Sequence, residues 1–397
     1  MVDARSLRPF AFVIVGYLFV VQTAILVLAL PIALSGRADF RHLYTAGYMV
    51  RSGHAHQLYD YESNREFQNH AVGPSDFTLP YNHPAYEALV FVPFSLFKYR
   101  TAYFAFFAVN LALLAVSFRL LRPYLGQTAE LSRLLPAGLF VSFLPVTIAL
   151  VQGQDSIILL TLFVAATVSL DRGHEMTAGA FIGLTLFKFQ FGIPTALLFL
   201  VWRRWRFTAG FAMIGMAILV MSAWLTGFAG LTYYAHSLVS MGSAAGEERY
   251  LIHPEYMPNI RGLIYTWGSA HLSHMLVQAT TAVCSALVLL CAATRRPTFP
   301  LAVTAALLVS YHGLIHDATL LIIPLGLALS GALESSTRRA AWNVSLVGVI
   351  LAAPTVLFFW GERYYLLLLP IVAFFVIEIT SKQRDDRRAL ASFKAHS

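Results

Sequence analysis

The chain has 397 residues, of which 58% are hydrophobic and only 12% are charged. Soluble domains usually carry about a quarter charged residues, so this composition excludes a soluble fold. The formal net charge of +8 comes from short basic clusters between apolar runs, a pattern that orients membrane proteins, and we therefore expect no nucleic-acid partner.

The apolar runs recur along the whole chain and predict an all-α polytopic membrane protein. Most of them are long enough, at roughly 17 residues or more, to cross a hydrocarbon core about 30 Å thick. We expect a bundle of about 10–12 transmembrane helices, with juxtamembrane segments on the outer side. Residues 1–381 are interpreted as a single transmembrane domain and residues 382–397 as a basic cytoplasmic tail.

The first apolar run, from Pro9 to about Leu34, is too long for a signal peptide and predicts the first transmembrane helix. Residues 35–100 follow as the first outer loop. This loop includes a short apolar run, Pro84 to Phe97, which we interpret as juxtamembrane because about 14 residues is short for a span.

Asp39 lies a few residues beyond the first predicted helix, at the membrane surface. A carboxylate there could act as a general base toward a sugar hydroxyl. It could also cap a helix or pair with Arg37 or Arg41. In the same loop Arg41, Tyr44 and His83 are candidates for binding a sugar or an acceptor, although Pro84 after His83 also fits simple helix initiation.

The basic residues decide the predicted orientation. If the run from Pro84 to Phe97 crossed the membrane, Arg119, Arg122 and Arg172 would lie outside, against the tendency of basic residues to stay cytoplasmic. If it does not cross, the basic clusters lie inside. We therefore predict a protein of the bacterial inner membrane with both termini cytoplasmic and an active site on the periplasmic or extracellular side.

Two features in the middle of the chain could contribute to a site. Gln152 and Gln154 join two apolar segments on the predicted outer side, where their amides suit sugar hydroxyls or a helix-capping turn. The run 177–201 is interrupted near Lys188, and both of its flanks must be cytoplasmic, so we predict two half-helices that dip in and return. A lysine at that depth usually faces a cavity or a partner, although it could also snorkel to an interface.

Residues 230–273 predict a second outer loop. Its Arg261 could bind a phosphate as a planar fork, or be solvated at the rim. His312 and His316 follow at the junction of two late apolar runs and would share a face of a continuous helix. That spacing also suits zinc, but no Glu follows the first histidine and the sequence places no third ligand. Phosphate or sugar binding and a hydrogen-bonded helix junction are the two remaining interpretations.

A single carboxylate limits the chemistry. Glycoside hydrolysis usually needs two, because a sugar alkoxide is a poor leaving group, whereas a polyprenyl phosphate leaves without protonation. Such a donor needs cationic or hydrogen-bonding groups where charge accumulates on the phosphate. Asp39 is therefore the candidate for the catalytic base. The candidate donor-phosphate ligands are Lys188, His312, His316 and Arg261, and the candidate sugar or acceptor ligands are Arg41, Tyr44, His83, Gln152 and Gln154.

Several short motifs occur together in one order along the chain. They are Asp39-Phe40 with Tyr44-x-Ala46-Gly47, Gly53 to Leu58-Tyr59-Asp60, Tyr81-Asn-His-Pro84, Gly153-Gln154, Gly179-x-x-x-Gly183 to Lys188, and the late histidine segment. In this order they resemble glycosyltransferase family 87 (DUF2029) of the GT-C superfamily, whose members are similar to polyprenyl-phosphate-mannose-dependent mannosyltransferases.

The resemblance implies a GT-C fold with an external site, a polyprenyl-phosphate-linked sugar donor, Asp39 as the base and inversion at the anomeric carbon. The chain departs from the frequent paired prolines of the family and shows His83-Pro84-Ala85 instead, so we expect different local contacts there. Other GT-C branches hold a divalent ion with paired acidic residues, whereas here Phe40 follows Asp39. We therefore expect no metal and no other cofactor.

The sequence thus predicts a membrane enzyme that moves one sugar from a polyprenyl phosphate to a glycolipid or envelope polysaccharide, in contact with membrane lipid. The resemblance implies that this sugar is mannose. The alternative is a transporter or flippase of a lipid-linked or small polar substrate. Such proteins usually show repeats and charges near the membrane midplane, and only Lys188 fits that position. A non-catalytic assembly subunit is the third possibility.

Overall fold

The computed structural model describes residues 4–380 except residue 133 and residues 334–337. The predicted tail, 382–397, lies outside the described residues. Within them the chain forms helices joined by turns, with no strand, so the prediction of an all-α polytopic membrane protein is confirmed. Helices suit this environment because lipid offers no hydrogen bonds to the backbone, and a helix pairs its own backbone groups.

The helices of the first half are, in chain order, α1 Ala4–Ile32, α2 Phe40–Arg51, α3 Tyr61–Ala71, α4 Tyr99–Leu121, α5 Leu135–Val141, α6 Leu144–Gln152 and α7 Ser156–Asp171. Those of the second half are α8 Glu175–Leu184, α9 Phe189–Val201, α10 Trp205–Ser240, α11 Ile260–Gly268, α12 His274–Ala293, α13 Phe299–Val309, α14 Ile322–Leu333, α15 Arg338–Phe359 and α16 Tyr364–Thr380. Shorter helical turns join them.

By length and composition, seven helical segments of the described residues could cross a membrane, or eight if the bent pair α5 and α6 is one span. The prediction of about 10–12 spans exceeds this count because it also included shorter apolar runs. It included three apolar helices of 10–17 residues, which are α7, α13 and α16.

The first predicted outer loop folds as a compact layer on the end of the bundle. Its short apolar run forms three brief helical pieces, Ala85–Glu87, Ala88–Phe91 and Phe94–Leu96. None of them is among the candidate spans, which agrees with a juxtamembrane position. Gly47 of α2 lies so close to the backbone of Phe91 that a larger residue would overlap it.

The second predicted outer loop is shorter than expected. Residues 230–240 continue α10, so only the part after Ser240 is a connection with brief helices. The prediction missed this because polar side chains there hide the helical pattern. Gly227, inside α10, has φ 70°, a value that favours glycine, and it interrupts the regular helix.

The segment from Glu175 to Val201 enters the bundle and turns back. Its length alone would fit one span, and a straight helix of that size would be about 40 Å long. However, Arg204 Nη1 lies 2.9 Å from Glu175 Oε1, so both ends of the segment lie at the same end of the bundle. This contact supports the prediction of two half-helices, and Lys188 lies at the tip between them.

The basic clusters described by the structure gather at the end of the bundle opposite the first loop. Tyr124 donates a hydrogen bond to Asp171, which joins the end of α4 to the end of α7. Trp202 Nε1 donates to the carbonyl of Ala293, which joins the hairpin ends to the end of α12. Arg122, Arg172, Arg203, Arg204 and Arg295 all belong to these ends. This arrangement fits the charge pattern from which the orientation was predicted.

Candidate active site

Asp39 lies half-buried at the start of α2, against the turn that joins α6 to α7. Gln154 Nε2 donates to Asp39 Oδ2 over 2.6 Å, and the backbone N–H of Asp39 donates to Gln152 Oε1 over 3.2 Å. The Asp39 side chain does not cap α2. Within the described residues it pairs with neither Arg37 nor Arg41. Gln154 therefore holds the carboxylate of Asp39, and Gln152 holds its backbone.

The glutamine turn depends on a glycine. Gly153 ends α6 with φ 59°, in the left-handed region, and a side chain there would also meet the ring of Phe40. Phe40 is fully buried and packs edge-on against Tyr103, whose hydroxyl donates to the carbonyls of Leu150 and Val151. This contact fixes the start of α2, and with it Asp39, against the turn.

Lys188 reaches the same turn from the tip of the hairpin. Its ammonium lies 2.8 Å from Asp155 Oδ1 and 2.5 Å from Asp317 Oδ1, and it donates to Ser156 Oγ over 2.9 Å. Gln154 Oε1 lies 3.4 Å away. Buried charges require such partners because they have lost their hydration. Gln154 thus joins the Asp39 carboxylate to the Lys188 cluster.

His316 belongs to this cluster. Its Nδ1 lies 2.9 Å from Ser156 Oγ and 3.2 Å from Asp317 Oδ1, while its Nε2 is buried without a hydrogen-bond partner. Asp317 Oδ2 accepts from the backbone N–H of Leu314. A buried ring nitrogen without a partner is available to a ligand.

His312 lies before the 3-10 helix that carries His316, so the two histidines do not share a continuous helix as their spacing allowed. The backbone carbonyl of His312 accepts from Gln190 Nε2. Burial, and then the charge of Arg261, lower the pKa of His312 to about 3. Its ring is therefore neutral at physiological pH.

Arg261 is buried rather than solvated at a rim, which removes that alternative. Its Nη2 lies 2.5 Å from Glu247 Oε1, its Nη1 donates to the carbonyl of Tyr311, and its guanidinium lies 3.9 Å above the Tyr311 ring. Arg261 and His312 thus form a second group, on either side of Tyr311.

The polar atoms of Arg41 and Tyr44 form hydrogen bonds within the first loop. Arg41 donates to Gln68, to Asn69 and to the carbonyls of Gly36 and Gly73. Tyr44 donates to the carbonyl of Phe97. These bonds hold the loop together, and sugar binding by either residue stays a prediction.

His83 lies in a group that the sequence analysis did not assemble. Its Nδ1 lies 2.5 Å from Glu87 Oε2 and 3.5 Å from Asp155 Oδ2. Burial raises the pKa of Glu87 to about 8; His83 opposes this rise and Asp155 adds to it. Burial lowers the pKa of His83, but the neighbouring Glu87 and Asp155 outweigh it, so the net shift is upward. The sequence signal was the His-to-Glu spacing of four, which places both on one helical face.

Aromatic rings surround His83. Tyr81 stacks on it at 5.7 Å between centroids, His42 lies at 5.5 Å, and Tyr59 stacks on Tyr234 at 5.0 Å. Both ring nitrogens of His42 and the hydroxyl of Tyr234 are buried without hydrogen-bond partners. Rings with unpaired polar edges suit a polyhydroxylated ligand, because they offer apolar faces and hydrogen bonds together.

The structure therefore joins most, but not all, of the predicted residues. Asp39, Gln152, Gln154, Lys188 and His316 form one connected network, and His83 meets it at Asp155. The residues that the sequence analysis missed are Glu87, Asp155 and Asp317. Asp155 and Asp317 meet Lys188 only in the folded chain, and the local signal for Glu87 was its spacing of four from His83.

Comparison with known proteins gives one match. The sequence model of a family described as Glycosyltransferase family 87 matches residues 81–324, which is more than half of the chain. The matched part includes His83, Asp155, Lys188 and Asp317 but begins after Asp39. No curated protein and no solved structure matches the chain.

Proposed function

Because the chain belongs to glycosyltransferase family 87 and is therefore a membrane glycosyltransferase, we propose that it transfers one sugar from a polyprenyl phosphate to a glycolipid or envelope glycan. The sugar is mannose, as the resemblance implies. Transfer takes place on the outer face of the inner membrane, at the end of the bundle that carries the first loop. This side follows from the basic clusters at the opposite end.

The observation that carries the proposal is the Asp39 carboxylate, held by Gln154 beside a buried charged cluster. Gln154 holds one carboxylate oxygen, so the other can accept the proton of an acceptor hydroxyl. Direct attack by that hydroxyl on the anomeric carbon, opposite the leaving phosphate, inverts the configuration. The base itself needs no metal for this step, in line with the expectation drawn from Phe40 after Asp39.

The leaving phosphate needs hydrogen-bond donors or positive charge. Lys188, His312, His316 and Arg261 remain the proposed ligands, and the contacts rank them. His316 is the best placed because its Nε2 is buried and unpaired. Lys188 and Arg261 already face carboxylates, so little of their charge is left for a phosphate. His312, as a neutral ring, contributes a hydrogen bond only.

The sugar and acceptor ligands proposed are His83, Gln152 and Gln154, with the aromatic rings around His83 as the stacking surface. Arg41 and Tyr44 stabilise the first loop through their hydrogen bonds and so support the site indirectly. Transport or flipping of a lipid-linked substrate is the weaker alternative, since family membership favours an enzyme.

The test uses purified full-length protein in lipid nanodiscs with a membrane lipid extract as acceptor. It compares radiolabelled polyprenyl-phosphate mannose with polyprenyl-phosphate glucose and with GDP-mannose. We expect a labelled glycolipid or glycan from polyprenyl-phosphate mannose alone. Transfer from the nucleotide sugar alone would overturn the proposed donor, and transfer from the glucose donor alone would overturn the proposed sugar.

A further inference from the structure

The buried charges around Lys188 do not cancel. Glu87, Asp155 and Asp317 are at most 2% exposed, and Lys188 is 4% exposed. Lys188 faces two of these carboxylates, Asp155 and Asp317, and the third, Glu87, faces His83. Burying uncompensated charge is costly, and proteins meet that cost with a proton, a counter-ion or a metal.

The contacts divide this charge in a specific way. Lys188 and Asp317 form one close pair. Asp155 shares one oxygen with Lys188 and turns the other toward His83, which in turn contacts Glu87. If the Lys188–Asp317 pair is neutral, Asp155 and Glu87, both ionised as metal ligands must be, carry two negative charges beside His83. One divalent cation would balance them.

The geometry of His83, Glu87 and Asp155 suits a cation. One ligand-type atom from each residue lies within 4.8 Å of the other two. Donor atoms bound to one cation at about 2.1 Å lie roughly 3 Å apart, so small side-chain rotations bring all three to bonding distance. His83 Nδ1 and all four carboxylate oxygens are buried, and none makes a hydrogen bond of ordinary geometry.

His42 provides a second, independent observation. It is 7% exposed, its ring lies 5.5 Å from that of His83, and neither of its nitrogens has a hydrogen-bond partner. Buried imidazoles normally have such partners. A cation, or a water bound to it, would supply the missing partner.

We propose that His83, Glu87 and Asp155 bind one divalent transition-metal cation, with Lys188 and His42 around it. One imidazole with two carboxylates suits Mn²⁺ or Zn²⁺ better than Mg²⁺ or Ca²⁺, which prefer oxygen ligands. Asp155 would bind the cation with one oxygen and Lys188 with the other. Metal ligands are commonly oriented in this way by a hydrogen bond to a neighbouring residue. This proposal departs from the expectation of a metal-independent enzyme, which rested on Phe40 following Asp39.

The role of the cation rests on the proposed function. A cation beside the Lys188 cluster would supply the positive charge for the donor phosphate that Lys188, already neutralised, lacks. Binding itself requires no donor and can be measured separately.

The first experiment treats full-length protein in nanodiscs with EDTA, removes the chelator and titrates Mn²⁺, with bound ion counted by electron paramagnetic resonance. We expect one tightly bound Mn²⁺ per chain. In protein labelled with ¹⁵N-histidine, pulsed spectra should show coupling of the ion to an imidazole nitrogen. Absence of stoichiometric binding, or a bound ion without nitrogen coupling, would overturn the site.

The second experiment compares variants. Glu87→Gln keeps the shape of the side chain and removes its charge, and we expect it to weaken Mn²⁺ binding at least about tenfold. Glu175→Gln, which changes an acidic residue paired with Arg204 at the other end of the bundle, is the matched control and should bind as the wild type does. Equal binding by both variants would refute the assignment. If Glu87→Gln does not fold, the nitrogen coupling in the wild-type protein still shows whether a histidine binds the ion.

Activity tests the role apart from the binding. If the cation holds the donor phosphate, EDTA-treated enzyme should lose transfer and recover it with Mn²⁺. If the protein binds one Mn²⁺ at this site but transfers sugar equally well without it, the metal site is supported and its role in binding the donor phosphate is refuted. A protein that binds Mn²⁺ but never transfers sugar would contradict the proposed function instead.

Discussion

The position of Asp39 leads to the most direct prediction at the level of single residues. Asp39→Asn keeps the size of the side chain and removes its basicity. Because general base catalysis contributes about 10²–10⁴-fold to rate, we expect transfer to fall by at least 100-fold. The variant should still fold, since the backbone N–H of residue 39 bonds to Gln152 in either case. Initial rates and thermal unfolding measure the two effects.

Asp60 offers the matched control in the same loop. Its carboxylate accepts from the backbone N–H of Ser63 and caps α3. Asp60→Asn keeps a capping residue, so both activity and melting temperature should stay near those of the wild type. An Asp39→Asn enzyme as active as Asp60→Asn would remove Asp39 from the mechanism.

His312 predicts a pH dependence of stability. Its pKa is about 3 in the folded protein, through burial and then Arg261, against 6.5 ordinarily. Between these values the unfolded chain binds the proton more readily. This contribution to stability is therefore complete above about pH 6.5 and is lost as the pH falls toward 3.

We expect the melting temperature to fall less between pH 7 and pH 5 in His312→Gln than in the wild type. His253→Gln, at an exposed histidine of the second outer loop, is the control and should follow the wild type. An identical acid response of all three proteins would show that His312 does not contribute.

For single residues, the sequence identified polar side chains in unusual positions but not the residues they contact. Lys188 stood out because a lysine in an apolar run is costly without a partner. Asp39 stood out because it follows the first predicted helix at the membrane surface. Asp317 did not stand out, since its partner Lys188 lies far along the chain. Glu87 was missed although its partner His83 is only four residues away, because that spacing gains a meaning only once Asp155 is brought beside the two residues. Sequence spacing alone does not encode such contacts.

At the level of elements, the close packing of α8 on α10 holds the hairpin in place. A Cβ added at Gly210 would overlap backbone atoms of Met176. We expect Gly210→Ala to destabilise the protein by about 1–3 kcal/mol, as overpacking does. Thermal unfolding in detergent measures the change.

Gly348 of α15 is a suitable control, because nothing lies within 4 Å of a Cβ there. Gly348→Ala should leave the melting temperature unchanged or raise it, as alanine favours a helix. If both substitutions had the same effect, close packing would not explain the glycine at position 210.

The hairpin was predictable because basic residues at both of its ends required them to lie on one side. The extension of α10 through residues 230–240 was not predictable in the same way. Its outer part carries polar and aromatic residues, such as Tyr233 and His236, that read as a loop. There helix formation follows from tertiary contacts, including the stacking of Tyr234 on Tyr59.

For the molecule as a whole, the orientation in the membrane is testable. Replacement of Cys284 and Cys291 by alanine gives a background without cysteines, since the chain has only these two. Single cysteines at Glu62 and His253, which are exposed, should react with an impermeant maleimide added outside intact spheroplasts.

Single cysteines at His174 and Arg203 should react only after permeabilisation, because they lie at the two ends of the hairpin on the opposite side. Labelling of one of these positions from each side of the membrane would mean that residues 175–201 cross it and would refute the hairpin. Labelling of all four in the reverse sense would invert the orientation and keep the fold.

The pairing of Lys188 with Asp317 also bears on how the protein is made. The two residues are 129 positions apart, whereas Asp155 precedes the lysine. A ribosome that has inserted the hairpin has therefore provided only one of the two carboxylates, and it must synthesise α10, α12 and α13 before the second arrives. During that interval Lys188 has Asp155 as its carboxylate partner but not yet Asp317, so its full set of contacts forms only after most of the bundle has been synthesised.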